Sequence, residues 1–376
     1  MEFNVNTTAF KNAVFSVSRI IQAKTAQSEL ASLKISADTE GIIIEAVNSV
    51  LTMKRFLPCM DNEGQIIHVI RSGSILISPA YFVELLKKLP GKIHMKVNEN
   101  FQLKIESENI STTLSGMDPS AFPNQPFLEQ ATMIQIHTDT LRKVIEQTLF
   151  AVSHHDANPA LTGVNWVFDK KKWYSIATNS QRLVLTRQSH AGKEINGSYT
   201  IPAKALAECL HCFKNDDKEI TITFSNRFIL FQGGDIQLYS KLITSSFPNV
   251  GKLIPAETNT EIIVETAEFL KGIDRMILLA SSKKNHNVAM KVGGKKTITL
   301  KSDAGEIGEI KESQAVIQVA GDTDFHIIFD GEYMKQSLQA IEDTSIKLIL
   351  SGPYRPIRIE PLEGDSYLHL ISPLRG

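Results

Sequence analysis

Apolar residues recur along this chain with two periods, and the two alternate. Short runs of period two open three stretches, at Phe3-x-Val5, Ile134-x-Ile136 and Ile262-x-Val264. This is the alternation of a half-buried strand. Five residues after each run comes the first apolar residue of a helical stretch: Phe10, Leu141 and Phe269. Phe10, Ala13, Val14 and Val17 fall at i, i+3, i+4 and i+7, as do Leu141, Val144, Ile145 and Thr148, which marks one face of an α-helix. Thr7 or Thr8, Thr138 or Asp139, and Thr266 stand where an N-cap is expected, since their oxygens can accept from the free N–H groups of a first turn. A second helix is predicted in each stretch, over 79–90, 202–214 and 331–342. Pro79 and Pro202 suit a first turn, where no backbone donor is needed. The segments 41–47, 92–97, 101–105, 219–224 and 345–350 are β-rich and mostly alternating, and read as strands. Asn98-Glu-Asn100, Gly233-Gly234 and Gly293-Gly294 read as turns.

The same order of elements therefore occurs three times, and the residues repeat with it. Pro123, Pro248 and Pro373 lie 125 residues apart, and Ser120-Ala-Phe-Pro-Asn124 reappears as Ser245-Ser-Phe-Pro-Asn249. Ala46-Val-Asn-Ser49 matches Ala177-Thr-Asn-Ser180, and Ser78-Pro-Ala80 matches Ile201-Pro-Ala203. A fixed period of this kind marks one structural unit used repeatedly. The chain reads as three α+β domains, 1–125, 126–253 and 254–376, each of two helices and several antiparallel strands. A length of 376 residues suits three domains.

Composition narrows the function classes. The chain is 42% apolar and 22% charged, ordinary for a soluble globular protein. No apolar run approaches the roughly 18 residues of a membrane span, and Met-Glu-Phe-Asn-Val at the start lacks the pattern of a signal peptide. Three cysteines fit a reducing cytoplasm better than a disulfide scaffold. With a formal net charge of −1, any contact with a polyanion has to be local.

Candidate chemistry is sparse. Cys209-Leu-His-Cys212 is a CxxC without the second ligand pair that a zinc site needs. Its apolar helical surroundings predict buried core thiols. His154-His155-Asp156 follows a predicted helix end, where cationic side chains suit the dipole. An enzyme built on this trio is the competing class of function, but the sequence offers it no partners. Lys291-Val-Gly-Gly-Lys-Lys-Thr297 lacks the full spacing of a phosphate loop and reads as a hairpin turn. No metal or cofactor is expected. The six helices carry eleven basic residues: Lys11, Arg19, Lys87, Lys88, Arg142, Lys143, Lys204, Lys214, Lys271, Arg275 and Lys335. Once the acids of first turns are set aside, five acidic residues oppose them. Such faces suit sequence-blind phosphate contact as well as plain solvation.

At Ala177-Thr-Asn-Ser-Gln-Arg-Leu183 the chain resembles the A-T-D-[SG]-H-R-L segment of the bacterial DNA polymerase III beta subunits, the beta sliding clamps. Leu161-Thr-Gly163, Ser240-Lys-Leu242, Phe247-Pro248 and the terminal stretch Tyr367-Leu-His-Leu-Ile-Ser-Pro-Leu-Arg375 follow the same family in order and spacing. The resemblance spans the whole chain. It implies a head-to-tail homodimer of three-domain chains that closes into a ring around duplex DNA, binds it without sequence preference, and has no active site. It implies partners too: a DNA polymerase subunit, a clamp loader and other proteins carrying a clamp-binding motif, docked in a cleft between the second and third domains. The cleft positions are Leu161, Thr178, Ser180, Gln181, Arg182, Leu183, Pro248, Lys252, Leu253, Pro356, Leu370, Ile371, Ser372, Pro373, Leu374 and Arg375. Lys24 and His155 match DNA contacts of the family, supplemented by Lys11, Lys88, Arg142, Lys204 and Lys271. Leu114, Leu278 and Leu279 are expected at the dimer interface. The chain departs from the pattern at Asn179, Gln181 and Pro159-Ala160. These departures leave open, as an alternative, a specialised paralogue that pairs with or competes against a main clamp.

Overall fold

The computed structural model describes the chain except for residues 23–27, 62–63, 130, 191–193, 215–218, 281–285, 295 and 375–376. For residues 28, 61 and 280 it describes the backbone only. The first third runs β1 (Glu2–Asn6), α1 (Thr7–Ser18), β2 (Leu33–Ala37), β3 (Gly41–Val47), β4 (Leu51–Pro58), the short β5 (Met60–Asp61) and β6 (Gly64–Gln65), β7 (Ile67–Arg71), β8 (Gly73–Ile77), α2 (Pro79–Lys88), β9 (Lys92–Val97), β10 (Gln102–Ser107) and β11 (Ile110–Ser115). The second runs β12 (Thr132–His137), α3 (Thr138–Leu149), β13 (Gly163–Lys170), β14 (Lys172–Thr178), β15 (Arg182–Ser189), β16 (Ile195–Pro202), α4 (Ala203–Cys212), β17 (Glu219–Phe224), β18 (Phe228–Gly233) and β19 (Ile236–Lys241). The third runs β20 (Thr260–Glu265), α5 (Thr266–Ala280), β21 (Asn287–Val292), β22 (Thr297–Asp303), β23 (Glu309–Ala315), β24 (Gln318–Gly321), β25 (His326–Asp330), α6 (Gly331–Gln339), β26 (Ser345–Leu350), β27 (Ile357–Pro361) and β28 (Tyr367–Ile371).

The predicted first helices are all present, but the caps of the first two lie one residue earlier than expected. Asn6, still extended, accepts from the Thr8 N–H, so Thr7 is already helical. The His137 ring nitrogen takes that place before α3, 3.3 Å from the Asp139 N–H. Thr266 opens α5, and its hydroxyl donates to the Asp343 carbonyl instead of capping. The second helices are shorter than predicted. α2 stops at Lys88 because Leu89 is extended, as suits a residue preceding proline. The 98–100 turn closes with Phe101 at φ 53°, which moves the start of β10 to Gln102. The Gly-Gly-Lys-Lys segment lies between β21 and β22, as a hairpin turn requires.

Contacts divide the chain into two compact units, Met1–Asp139 with Ala207–Leu242, and Thr140–Leu206 with Ile243–Gly376. The units cut across the repeat because strands of successive repeats share sheets. The first unit holds a five-stranded sheet, β11-β10-β9-β1-β7, and an eight-stranded sheet, β12-β17-β18-β19-β4-β3-β2-β8. In the larger one, β19 joins β4 antiparallel, with Ile236 opposite Arg55 and Ser240 opposite Leu51. Arg55 and Asp235 reinforce that join with an ion pair of 2.5 Å. Under the five-stranded sheet, Phe10 of α1 contacts Phe3 and Phe82 edge-on or tilted, at 6.1 and 6.5 Å between centroids. Cys209 and Cys212 are buried thiols, with Cys212 Sγ 4.0 Å from Met53 Sδ. Burial pushes the Cys209 thiol up.

The second unit repeats the arrangement. A nine-stranded sheet, β16-β13-β14-β15-β28-β27-β26-β20-β24, and a four-stranded sheet, β23-β22-β21-β25, enclose a core. Phe269, Ile273 and Met276 of α5 pack there with Met334 and Leu338 of α6. In this unit β15 joins β28, from Arg182 opposite Ile371 to Thr186 opposite Tyr367. By place in the repeat, β11, β19 and β28 are equivalent, and so are β4, β15 and β23. The bridges Leu76–Met117, Thr200–Ile243 and Phe329–Pro373 recur at matching places in all three copies.

Candidate functional site

The segment that carries the resemblance is a tight turn between β14 and β15. The Asn179 side-chain oxygen accepts from the Gln181 and Arg182 N–H groups, at 3.1 and 3.0 Å. The Thr178 hydroxyl donates to the Arg182 carbonyl at 2.6 Å and accepts from the Ser180 N–H at 3.1 Å. Ser180 takes the left-handed conformation, φ 71°. The matching turn of the first repeat is built alike: Asn48 accepts from Val50 and Leu51 at 2.8 and 2.7 Å. Such side-chain-to-backbone bonds fix a turn without a glycine.

Alternation along β15 and β28 sends side chains to opposite faces. On one face Leu183, Leu185, Leu368 and Leu370 form a buried apolar cluster with Ile176 and Val250, and the half-buried Phe247 and Ile254 pack against it. On the other face stand Arg182 and Thr186, with His369 and Tyr367 across the strand pair. The C-terminal residues are tied to the same place. The Ser372 N–H donates to the Gln181 carbonyl at 2.8 Å, and the Leu374 N–H to Ile328 at 2.7 Å. So the fold brings 178–183 and 370–374 together.

The expected cleft residues divide by exposure. Leu161, Thr178, Arg182, Leu183, Leu370 and Ile371 are buried and shape the site from beneath. Pro356, Ser372, Pro373 and Leu374 are half-buried. Ser180, Gln181, Pro248 and Lys252 are exposed, and Leu253 is 51% exposed, a large apolar side chain facing solvent. Arg375 lies outside the described residues.

Arg182 has the most elaborate surroundings. Its guanidinium donates to the Phe150 carbonyl and, at 2.5 Å, to the Gln336 side-chain oxygen. It is also stacked between two rings, 5.1 Å from the Phe150 centroid and 4.5 Å from that of Tyr333. The Tyr333 hydroxyl in turn donates to Gln181 at 2.8 Å. Burial lowers the Arg182 pKa from its ordinary value, but a guanidinium stays charged. Phe150, Tyr333 and Gln336 are far away in sequence, and no motif marked them. The only available signal was helical spacing, which puts Tyr333 and Gln336 one turn apart on α6.

His369 is buried beside this cluster, its ring 6.1 Å from that of Phe150. Desolvation, and then the nearby Arg182 charge, lower its pKa to about 3. In the unfolded chain the ordinary value is about 6.5. Between those values the unfolded chain takes up a proton that the folded chain refuses, so stability is full above about pH 6.5 and falls as pH drops. The expected loss is about 1.4 kcal/mol per pH unit. On going from pH 7 to 5, the parent should lose more melting temperature than His369→Phe. Equal losses would refute this account.

The expected DNA contacts also divide. Lys24 lies outside the described residues. The Lys11 ammonium donates to the Leu89 carbonyl at 2.7 Å, just past the end of α2, and is committed there. Arg142 pairs with Glu146 at 2.9 Å and Lys271 with Glu268 at 2.7 Å. Exposed pairs of this kind contribute little and exchange readily. Lys88, Lys204 and His155 are exposed, and among the described residues neither lysine has an ion pair. Of the expected dimer residues, Leu114 is half-buried on the edge strand β11, Leu278 is 71% exposed on α5, and Leu279 beside it is half-buried.

Three family models match in order along the chain: the DNA polymerase III beta subunit N-terminal domain over 1–126, the central domain over 135–249 and the C-terminal domain over 251–375. The chain is 30% identical over 378 residues to the beta sliding clamp of Bacillus subtilis, covering 100% of both proteins. The crystal structure of the DNA polymerase sliding clamp from Bacillus subtilis superposes with a TM-score of 0.97 at 30% identity, covering 100% of this chain and 99% of that one. That of the DNA polymerase beta subunit from Streptococcus pyogenes does so with a TM-score of 0.93 at 26% identity, covering 100% of each. Turn, sheet joins and full-length matches agree, and the chain belongs to the DNA polymerase III beta subunit family, the beta sliding clamps.

Proposed function

We propose that two copies of the chain, each with repeats over 1–125, 126–253 and 254–376, pair head to tail into a ring. The ring encircles duplex DNA and tethers a DNA polymerase to it in the cytoplasm. One observation carries this reading. Within the chain, β19 joins β4 and β15 joins β28, the same join made twice. Their counterparts β11 and β23 are left at sheet edges. An unpaired edge invites another strand, and the partner that fits β11 by its place in the repeat is β23 of a second copy. A head-to-tail contact that closes yields a ring.

No bond is made or broken in this function, so no catalytic group is needed. Phosphate contacts without base contacts let a protein slide. Threading DNA through a ring raises the local concentration of whatever the ring holds. The clamp loader, the polymerase subunit and other proteins with a clamp-binding motif dock a short peptide at the Arg182 and Leu183 turn. The apolar cluster beneath it, exposed Leu253 and the half-buried 372–374 segment support that assignment, since peptide sites are apolar with a few placed polar groups. The relatives that match the full chain are themselves named beta sliding clamp, which does not favour a specialised paralogue.

The direct test loads the protein onto nicked circular DNA with a clamp loader and then linearises the circle. A sliding ring runs off the ends; retention on linear DNA, or no loading, sinks the reading. The helix faces are checked separately. Lys88→Ala with Lys204→Ala should weaken DNA binding equally for all sequences and lower the slope of log affinity against log salt by about 2. An unchanged slope removes these two lysines from the DNA-facing set.

A further inference from the structure

The elements beneath the peptide site carry three buried polar atoms that have no hydrogen-bond partner among the described residues: Arg182 Nε on β15, His369 Nδ1 on β28 and Ser337 Oγ on α6. Arg182 is 7% exposed, His369 1% and Ser337 0%. Their neighbourhood is fixed from three sides. Arg182 and His369 project from the same face of the β15–β28 pair, and the Phe150 ring touches both. Tyr333, which stacks on Arg182, stands one helical turn before Ser337 on α6. Tyr367 closes the far side, its ring 5.5 Å from that of His369 and its hydroxyl committed to Asp343 at 2.7 Å. The hydroxyl of Thr186, on the same face of β15, is a fourth buried polar atom without a partner among the described residues.

Buried polar atoms are almost always satisfied, by protein or by ordered water. A site that is polar on several sides is where internal water is held. We infer that His369 and Ser337 form a hydrated polar seat for Arg182, in which internal water links Arg182 Nε to His369 Nδ1 and Ser337 Oγ and sets the plane of the guanidinium in the peptide site. His369 and Ser337 are positioning residues: they act through Arg182, whose outer nitrogens are already held by Phe150 and Gln336. The imidazole is neutral at neutral pH, so Nδ1 can accept a hydrogen bond there. An imidazolium could only donate, and would repel the guanidinium.

This inference rests on the peptide-docking reading, and its test separates the two. A fluorescent peptide carrying the clamp-binding motif of a bacterial replicative polymerase is titrated into the full-length dimer. Ser337→Ala removes one oxygen and almost no volume; His369→Phe keeps the ring and removes both nitrogens. Each should weaken the peptide by roughly tenfold, with unchanged dimer mass. His369→Gln, which returns an amide to the seat, should recover most of the loss. A merely unsatisfied hydroxyl predicts the opposite for Ser337→Ala: unchanged affinity and a raised melting temperature. That result overturns the inference, as does a His369→Gln as weak as His369→Phe. If the parent itself binds no such peptide, the docking reading fails, and the seat is read in the free protein from exchange of the Arg182 Nε–H proton with solvent. Slow exchange that Ser337→Ala accelerates upholds the seat; equally fast exchange in both overturns it.

Discussion

Arg182→Ala is expected to weaken binding of a clamp-binding peptide by roughly 30- to 1,000-fold, or about 2–4 kcal/mol, the range of an interface hot spot. Three losses combine. The side chain is 7% exposed, so truncation opens a cavity between the Phe150 and Tyr333 rings. The Phe150 carbonyl and the Gln336 oxygen lose their donor. The Gln181 and Ser372 backbones, which share this turn, lose the wall that orients them. Arg182→Lys should recover little, because an ammonium cannot satisfy two acceptors in a fixed fork while stacking on rings. Fluorescence anisotropy gives the affinity, and sedimentation should show an intact dimer. Deleting residues 372–376 in addition should abolish binding. An affinity within twofold of the parent would remove Arg182 from the docking site.

The second large effect is expected at the ring joint. Leu114→Arg places a charge at a half-buried position of β11, where the proposed partner strand would cover it. An unpaired buried charge costs about 3–5 kcal/mol. The same charge in the monomer reaches solvent and costs little. The dimer should therefore weaken by roughly two to four orders of magnitude while the melting temperature of the monomer barely moves. Leu278→Arg is the matching probe on α5, at a position 71% exposed in the single chain. Equilibrium sedimentation at micromolar concentration separates the cases. Two variants that stay dimeric would contradict a joint at β11 and α5, and would point to another pairing of the edges.

Much of this fold was legible because it rests on short-range rules. The helical spacing of Phe10, Ala13, Val14 and Val17 predicted α1, and these four residues are its buried face. Segments 41–47, 92–97, 219–224 and 345–350 are strands with the predicted bounds. The caps were misplaced by one residue because Asn6 competes with Thr7 for the same backbone donors, and periodicity does not rank them. The shared sheets were not legible from the pattern: β19 meets β4 across 180 positions or so of chain, and nothing local encodes that pairing. The resemblance located the 177–183 turn and the terminal stretch beside it, but not the side chains that hold Arg182. Phe150, Tyr333 and Gln336 reach it from elsewhere in the chain, and only tertiary packing gathers them. The expected cation set was thinned for a related reason. A lysine count cannot tell that Lys11 closes the end of α2 while Lys88 and Lys204 are exposed without an ion pair among the described residues.

The recurrence of one sheet join has a mechanical consequence. In the proposed ring, two joins in each chain are made between strands of one polypeptide, so a strand that comes loose stays tethered and rebinds at once. The two seams between copies have no such leash. They alone obey mass action, and they set how long a closed circle survives dilution. A machine that opens the circle need not unfold a repeat; it has only to hold one β11 edge away from β23 for as long as DNA takes to pass. The middle repeat has both of its outward strands already paired inside the chain, so the circle should part at its two seams.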